Sequence, residues 1–192
     1  MTEAKKTLRR DAQHNRERIL AAAVPALTRD ADATLDGIAK VAGVGIGTLY
    51  RHFPTREALI EAVYRNEVEK LCAAAAPLLR AHPADVALGK MMDRFFDYVA
   101  VKRGLAGALS AVVAAGVDPF NETRARLTEV LGEFLEAGVA QGVLRADVTA
   151  ADLLMGMAGV AKISGDDPPK ARRLSALILD GLRYSAAPRR RR

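Results

Sequence analysis

Three histidines, one cysteine and one glycine-rich stretch are the places where this sequence could carry out chemistry. His14, His52 and His82 are scattered over different predicted helices and helix ends. No Ser-His-Asp, metal-ligand or phosphate-loop spacing accompanies them. Cys72 is the single cysteine, which excludes an intramolecular disulfide framework and any multi-cysteine metal site. It lies in an Ala-rich helical stretch and reads as a small core residue. The run Gly43-Val44-Gly45-Ile46-Gly47 has a superficial likeness to a dinucleotide-binding loop, but it follows a helix and lacks the preceding strand and the third glycine. No enzyme activity, cofactor or metal is therefore expected.

The chain does offer charge for a polyanion. Residues 1–56 carry 10 Lys/Arg against 6 Asp/Glu, residues 57–188 carry 15 against 17, and Arg189–Arg192 add four more positive charges to reach +6. A basic N-terminal piece on a slightly acidic body suits a headpiece that binds nucleic acid. Lys5, Lys6, Arg9 and Arg10 have two open readings: a solvated arm, or a contact along a DNA backbone or minor groove. The Arg189–Arg192 run reads as a disordered tail rather than a second binding element.

The elements that must position such a headpiece are helical. Half of the 192 residues are hydrophobic, aromatics make up 5%, and Trp is absent, a composition rich in the helix formers Ala and Leu. No apolar run approaches the roughly 18 residues needed to span a bilayer. MTEAKKTLRR has charge but no apolar segment behind it, so a cytoplasmic protein with no membrane partner is expected. Periodicity predicts a first helix with Ile19, Leu20, Ala23 and Leu27 inward, after a flexible basic arm over 1–12. Thr34 should cap a short second helix ending at Gly43, a residue suited to the left-handed helix stop. A third short helix runs to about Phe53, and Thr55 caps a fourth that Pro77 should kink or end. Five further helices follow, one carrying Met91, Met92, Phe95 and Phe96. Asp118-Pro119, Thr149 and Asp167-Pro168 are expected to open the last three.

Residues 34–53 then form the informative unit. Two short helices joined by a Gly-containing turn make a helix-turn-helix. Leu35, Ile38, Ala39, Ala42, Val44, Leu49 and Phe53 should be its buried set, leaving a free face of the third helix for the DNA major groove.

At these residues the sequence resembles the tetracycline-repressor (TetR) family. That family's pattern, roughly T-x-x-x-I-A-x-x-A-G-V-S-x-G-T-L-Y-x-H-F-x-x-K-E-x-L, is matched by IAKVAGVGIGTLYRHFPTREAL except mainly at Gly45, where Ser is usual, and at Arg56, where Lys is usual. RERILAAAVPAL is similar to the family's first helix, and GVLRADVTAADL is typical of it further on; the specific resemblance covers about residues 15–65. It implies that Thr34, Tyr50, His52 and Arg56 contact phosphates or the sugar-phosphate backbone, and that Ile46, Gly47 and Thr48 occupy the base-facing turn. The Gly at 45 lacks a hydroxyl cap but keeps its backbone N–H. Ile46 and Gly47 bring no side-chain donor, so base reading would lean on thymine methyls and on Thr48. Arg51 and Lys40 are the nearest polar candidates for a base edge, unranked.

The resemblance further implies a TetR-like all-α fold of about nine helices, with a three-helix headpiece over 13–60, a regulatory and dimerisation domain over 61–184, and a basic tail over 185–192. Its function would be that of a repressor on double-stranded, (pseudo)palindromic operator DNA, released by a hydrophobic small-molecule inducer. Met91, Met92, Phe95, Phe96, Phe120 and Phe134 are candidates to line the inducer cavity; each also reads as ordinary core. The last two helices would form a homodimeric four-helix bundle, and Leu153, Met157, Val160, Leu174, Leu177, Ile178 and Leu182 form apolar stripes there beside Gly156, Gly159 and Gly181. An activator without an inducer, or a helical interaction protein, is the alternative.

Overall fold

The helix-forming residues of the N-terminal segment produce a longer first helix than expected. The computed structural model describes residues 2–116, 118–165 and 167–183. Helix α1 (Thr2–Arg29) takes in the stretch expected to be an arm, because Ala, Lys, Leu and Arg favour helix there and neither Gly nor Pro interrupts it before Pro25. Polarity alone does not end a helix. Helices α2 (Leu35–Ala42), α3 (Ile46–His52) and α4 (Arg56–Ala73) follow, then α5 (Ala75–Ala81), α6 (Ala84–Gly104), α7 (Ala106–Ala114), α8 (Asn121–Ala140), α9 (Ala150–Ser164) and α10 (Pro168–Arg183). There is no strand among the described residues, and no helix among them is long and apolar enough to cross a membrane.

The tenth helix arises from Pro77. The run read as one helix to about Ala76 breaks at Ala74, three residues before the proline, and restarts as α5. Pro77 has no N–H to give the carbonyl four residues back, and in the first turn of a new helix that donor is not needed. Helix α8 also begins later than Asp118-Pro119 suggested, with Phe120 as its N-cap. The other boundary residues behave as expected. Thr55 Oγ1 accepts from the Ala58 N–H at 3.1 Å, Asp167 Oδ1 accepts from the Lys170 N–H at 2.9 Å, and Gly142 ends α8 at φ 68°. Thr149 and Asp152 form a reciprocal capping box on α9.

The chain forms two compact units, which do not follow the 13–60 and 61–184 division expected from sequence. One comprises Met1–Glu67 with Val101–Pro119, the other Val68–Ala100 with Phe120–Arg192. In the first, α1 packs on α2 and α3 over a core of Ile19, Leu20, Ala23, Leu27, Ile38, Leu49, Phe53, Leu59 and Ile60. Tyr64, which periodicity did not single out, is fully buried there, with the Lys102 ammonium 5.9 Å from its ring centroid. Burial lowers the pKa of that lysine. Gly104 lies against Thr28, where an added Cβ would come within 2.3 Å of Cγ2, so this approach depends on the missing side chain.

In the second unit, α9 packs against both α8 and α10, and α5 against α8. Met91, Met92, Phe95 and Phe134 are buried, and Phe96 and Phe120 are half-buried. Phe95 and Phe96 meet edge to face at 5.7 Å. Arg145 fastens the end of α10: its N–H donates to Leu182 O at 2.9 Å, and its guanidinium pairs with both oxygens of Asp147 at 2.6 and 2.7 Å.

Candidate nucleic-acid interface

The helix-turn-helix is set by its caps. Thr34 adopts an extended conformation and its Oγ1 accepts from the Gly37 N–H at 3.1 Å, so α2 starts where the sequence said. Gly43 ends it at φ 64°, and the Val44 N–H returns to Ala39 O at 3.0 Å, the six-to-one bond of a Schellman stop. The Gly43 carbonyl accepts from Arg18 Nη2 of α1 at 3.1 Å. That brace, together with the left-handed backbone, fixes the turn between α2 and α3. Arg18 carried no sequence signal; its role depends on the approach of two helices.

Helix α3 opens at Gly45, whose backbone is cap-like but which gives no side-chain hydrogen bond. This is the consequence expected from Gly at that position. Leu49 and Phe53 point inward and are buried, while Leu35 and Val44, expected in the same buried set, are only half-buried. The opposite side of α3 stays open: Gly45, Gly47 and Arg51 are exposed, Ile46 is 38% exposed and Tyr50 49%. Arg51 folds back along this side, donating through Nε to Gly47 O at 3.3 Å and through Nη2 to Thr48 Oγ1 at 3.0 Å. The structure thus joins Gly47, Thr48 and Arg51 into one polar cluster beside the apolar Ile46. Lys40 is exposed on α2.

The remaining residues are more occupied. His52 is half-buried with its ring 6.2 Å from that of Phe53, and Arg16 of α1 stands over the other ring at 5.3 Å. Arg56, expected to meet phosphate, is engaged within the chain. It is half-buried, and its guanidinium donates to Ala31 O and Ala33 O in the loop before Thr34. A fork of donors at the start of α4 finds neighbouring carbonyls first, so its immediate role is to hold the α1–α2 loop.

Comparison with known proteins agrees with this geometry. Residues 19–63 match the family described as bacterial regulatory proteins, tetR family, and residues 83–184 match the C-terminal domain described as transcriptional regulator SbtR-like. The crystal structure of a TetR transcriptional regulator from Streptomyces coelicolor is 47% identical, with a TM-score of 0.83 over 89% of this chain and 99% of that one. The chain belongs to the TetR family of transcriptional regulators. A second TetR-family structure, from Mycobacterium vanbaalenii, is 34% identical with a TM-score of 0.76, over 92% of this chain and 99% of that one. An HTH-type transcriptional regulator of Staphylococcus aureus (strain MRSA252) is 36% identical over 66 residues; the match spans 33% of this chain and about a third, 35%, of that relative. The chain is thus a DNA-binding transcriptional regulator, and the residues that match the tetR family model include all of α2 and α3.

The stripes expected at a dimer interface divide in two. Leu153, Met157 and Leu182 are buried within the single chain and so belong to its own core. Leu177 is 67% exposed, and Val160, Leu174 and Ile178 are half-buried. Met155 at 63% and Ile163 at 70% exposure are the exposed large apolar residues of α9, and they lie outside the expected stripes. Helix α9 is apolar on nearly every side, so periodicity could not tell its inner face from its outer one. The outer faces of α9 and α10 adjoin, since a Cβ on Gly156 would lie 3.6 Å from Ile178 Cδ1 and Lys170 Nζ reaches Ile163 O at 3.4 Å.

Proposed function

We propose that this TetR-family chain is a homodimeric repressor that reads a (pseudo)palindromic operator with α3 and is released by a hydrophobic small molecule. The reading rests on one observation: the apolar side of α3 is turned inward through Leu49 and Phe53, while Ile46, Gly47, Tyr50 and Arg51 face outward. Ile46 would meet thymine methyls, and Arg51, pre-oriented by Thr48, would reach a base edge. Tyr50, His52 and Thr34 would grip the backbone, with Lys40 beside them. Arg56 contributes by holding the loop that carries Thr34.

Dimerisation is assigned to the outer face of α9 and α10, formed by Met155, Gly159, Ile163, Leu174, Leu177 and Ile178. Exposed Met, Ile and Leu on adjoining helices are surface that a soluble monomer rarely leaves open. Two headpieces would then meet major grooves about 34–36 Å apart, or further for a longer operator. For release, Met91, Met92, Phe95 and Phe96 with Phe120 and Phe134 offer an apolar lining in the second unit, and Met adapts to varied ligands. An inducer acts only by preferring one conformation; equal affinity for both would shift nothing.

Selecting bound sequences from a random DNA pool, then measuring mass of the complex by sedimentation, tests the proposal. A symmetric site holding two chains is expected. Failure to enrich any sequence, or one chain per site, would reject it. Screening small molecules for release from the selected site tests the inducer separately.

A further inference from the structure

Before Ile19, helix α1 contains no buried residue among the side chains described. From Thr2 to Arg16 it runs roughly 21 Å at 1.5 Å per residue. An isolated helix of that length is marginal in water, because little burial offsets its ordering. Its charges are arranged on one side. Lys6, Arg9, Arg10 and Gln13 are exposed and Arg16 is half-buried; their spacing places them within an arc of about 120°. Asp11 falls on the opposite side. Glu17 is the one carboxylate on the stripe among these described residues, and it accepts from Gln13 Nε2 at 2.8 Å. The stripe is continuous with the headpiece, since Arg16 stands over Phe53 at the end of α3.

We propose that this cationic stripe, Lys6–Arg9–Arg10–Gln13–Arg16, is a second DNA contact that follows the phosphate backbone outside the bases met by α3. It rests on the headpiece reading above. Lys and Arg at helical spacing suit a line of phosphates, with one charge per roughly 1.7 Å of duplex axis. Arg16 is the link at which the stripe joins the recognition helix. The contact reads no sequence; it adds affinity and lengthens the duplex needed for full binding.

The test uses the whole chain and the duplex selected with it, in a short form and in one extended by about ten base pairs on each side. Parent binding is measured first. Its absence would overturn the headpiece reading and this proposal with it. Lys6→Gln/Arg9→Gln/Arg10→Gln is then compared across salt concentrations. The proposal expects the log-affinity versus log-salt slope to flatten by roughly 2–3, at about 0.9 per lost phosphate contact. It also expects the advantage of the longer duplex to disappear, with base preferences unchanged. Glu17→Gln keeps the hydrogen bond to Gln13 and should act in the opposite sense, tightening binding at low salt. If the parent binds but the triple variant keeps both its slope and its preference for longer duplex, the stripe is not a DNA contact and the headpiece reading stands.

Discussion

The guanidinium of Arg56 donates to the carbonyl of Ala33, the residue immediately before the N-cap Thr34. One side chain at the start of α4 thus holds the loop that leads into α2. Arg56→Ala should lower stability by about 1–3 kcal/mol, since it removes charge-assisted bonds to half-buried carbonyls. It should weaken DNA binding while changing the salt slope by well under the 0.9 of a direct phosphate contact. Urea unfolding with salt-dependent band shifts measures both. A slope lower by 0.9 with stability intact would make Arg56 a phosphate ligand.

The two glycines of the turn and recognition helix should respond in opposite directions. Gly43→Ala forces a side chain onto a left-handed backbone and into Arg18 Nη2, 2.3 Å from the added Cβ, costing at least about 1–2 kcal/mol. Gly47 has nothing within 4 Å of an added Cβ. Gly47→Ala should therefore raise stability by about 0.5–1 kcal/mol through helix propensity, yet weaken or alter operator binding by adding a methyl where bases approach. Melting curves and affinities of the two variants separate stability from recognition. The same space admits Gly45→Ser, which should restore a side-chain cap worth about 0.3 kcal/mol.

Leu177 and Leu182 should distinguish interface from core. Leu177→Glu and Met155→Glu act on exposed positions, so each chain should stay folded but sediment as a monomer with operator affinity lost. Leu182→Glu buries a charge inside the chain and should unfold the second unit. Leu177→Glu remaining dimeric would remove these helices from the interface.

The capping box of α9 carries a pH signature. Hydrogen bonds from the Thr149 side chain, and then from its backbone, hold the Asp152 carboxyl below its usual range. A lowered folded pKa adds stability that is complete above the unfolded value and fades as pH falls through the folded one. Asp152→Asn should thus be less stable than the parent at neutral pH, with the gap closing below about the ordinary value of 3.8. A gap that stays constant into acid would show that Asp152 does not act as a charge.

Much of this was readable in sequence because local chemistry decides it. Thr34, Gly43, Thr55, Thr149 and Asp167 cap helices through atoms within a few residues of themselves, and the motif from Leu35 to Phe53 encodes its own turn. What stayed hidden depends on distant neighbours. Arg18 meets Gly43, and Arg56 meets Ala31 and Ala33, only after helices pack. The inner and outer faces of α9 look alike in hydrophobicity, so Leu153 and Met157 were assigned to a surface that Met155 and Ile163 occupy.

The claim that the open face of α3 reads bases is tested most directly by a substitution matrix on the selected operator. Affinities of the parent and of Arg51→Ala would be measured for each base at every position. The account predicts that Arg51→Ala loses discrimination at one position per half-site, by about 1–3 kcal/mol or roughly 5- to 150-fold, and keeps the parent's preferences elsewhere. An unchanged matrix, or a uniform loss at all positions with a flatter salt slope, would contradict it.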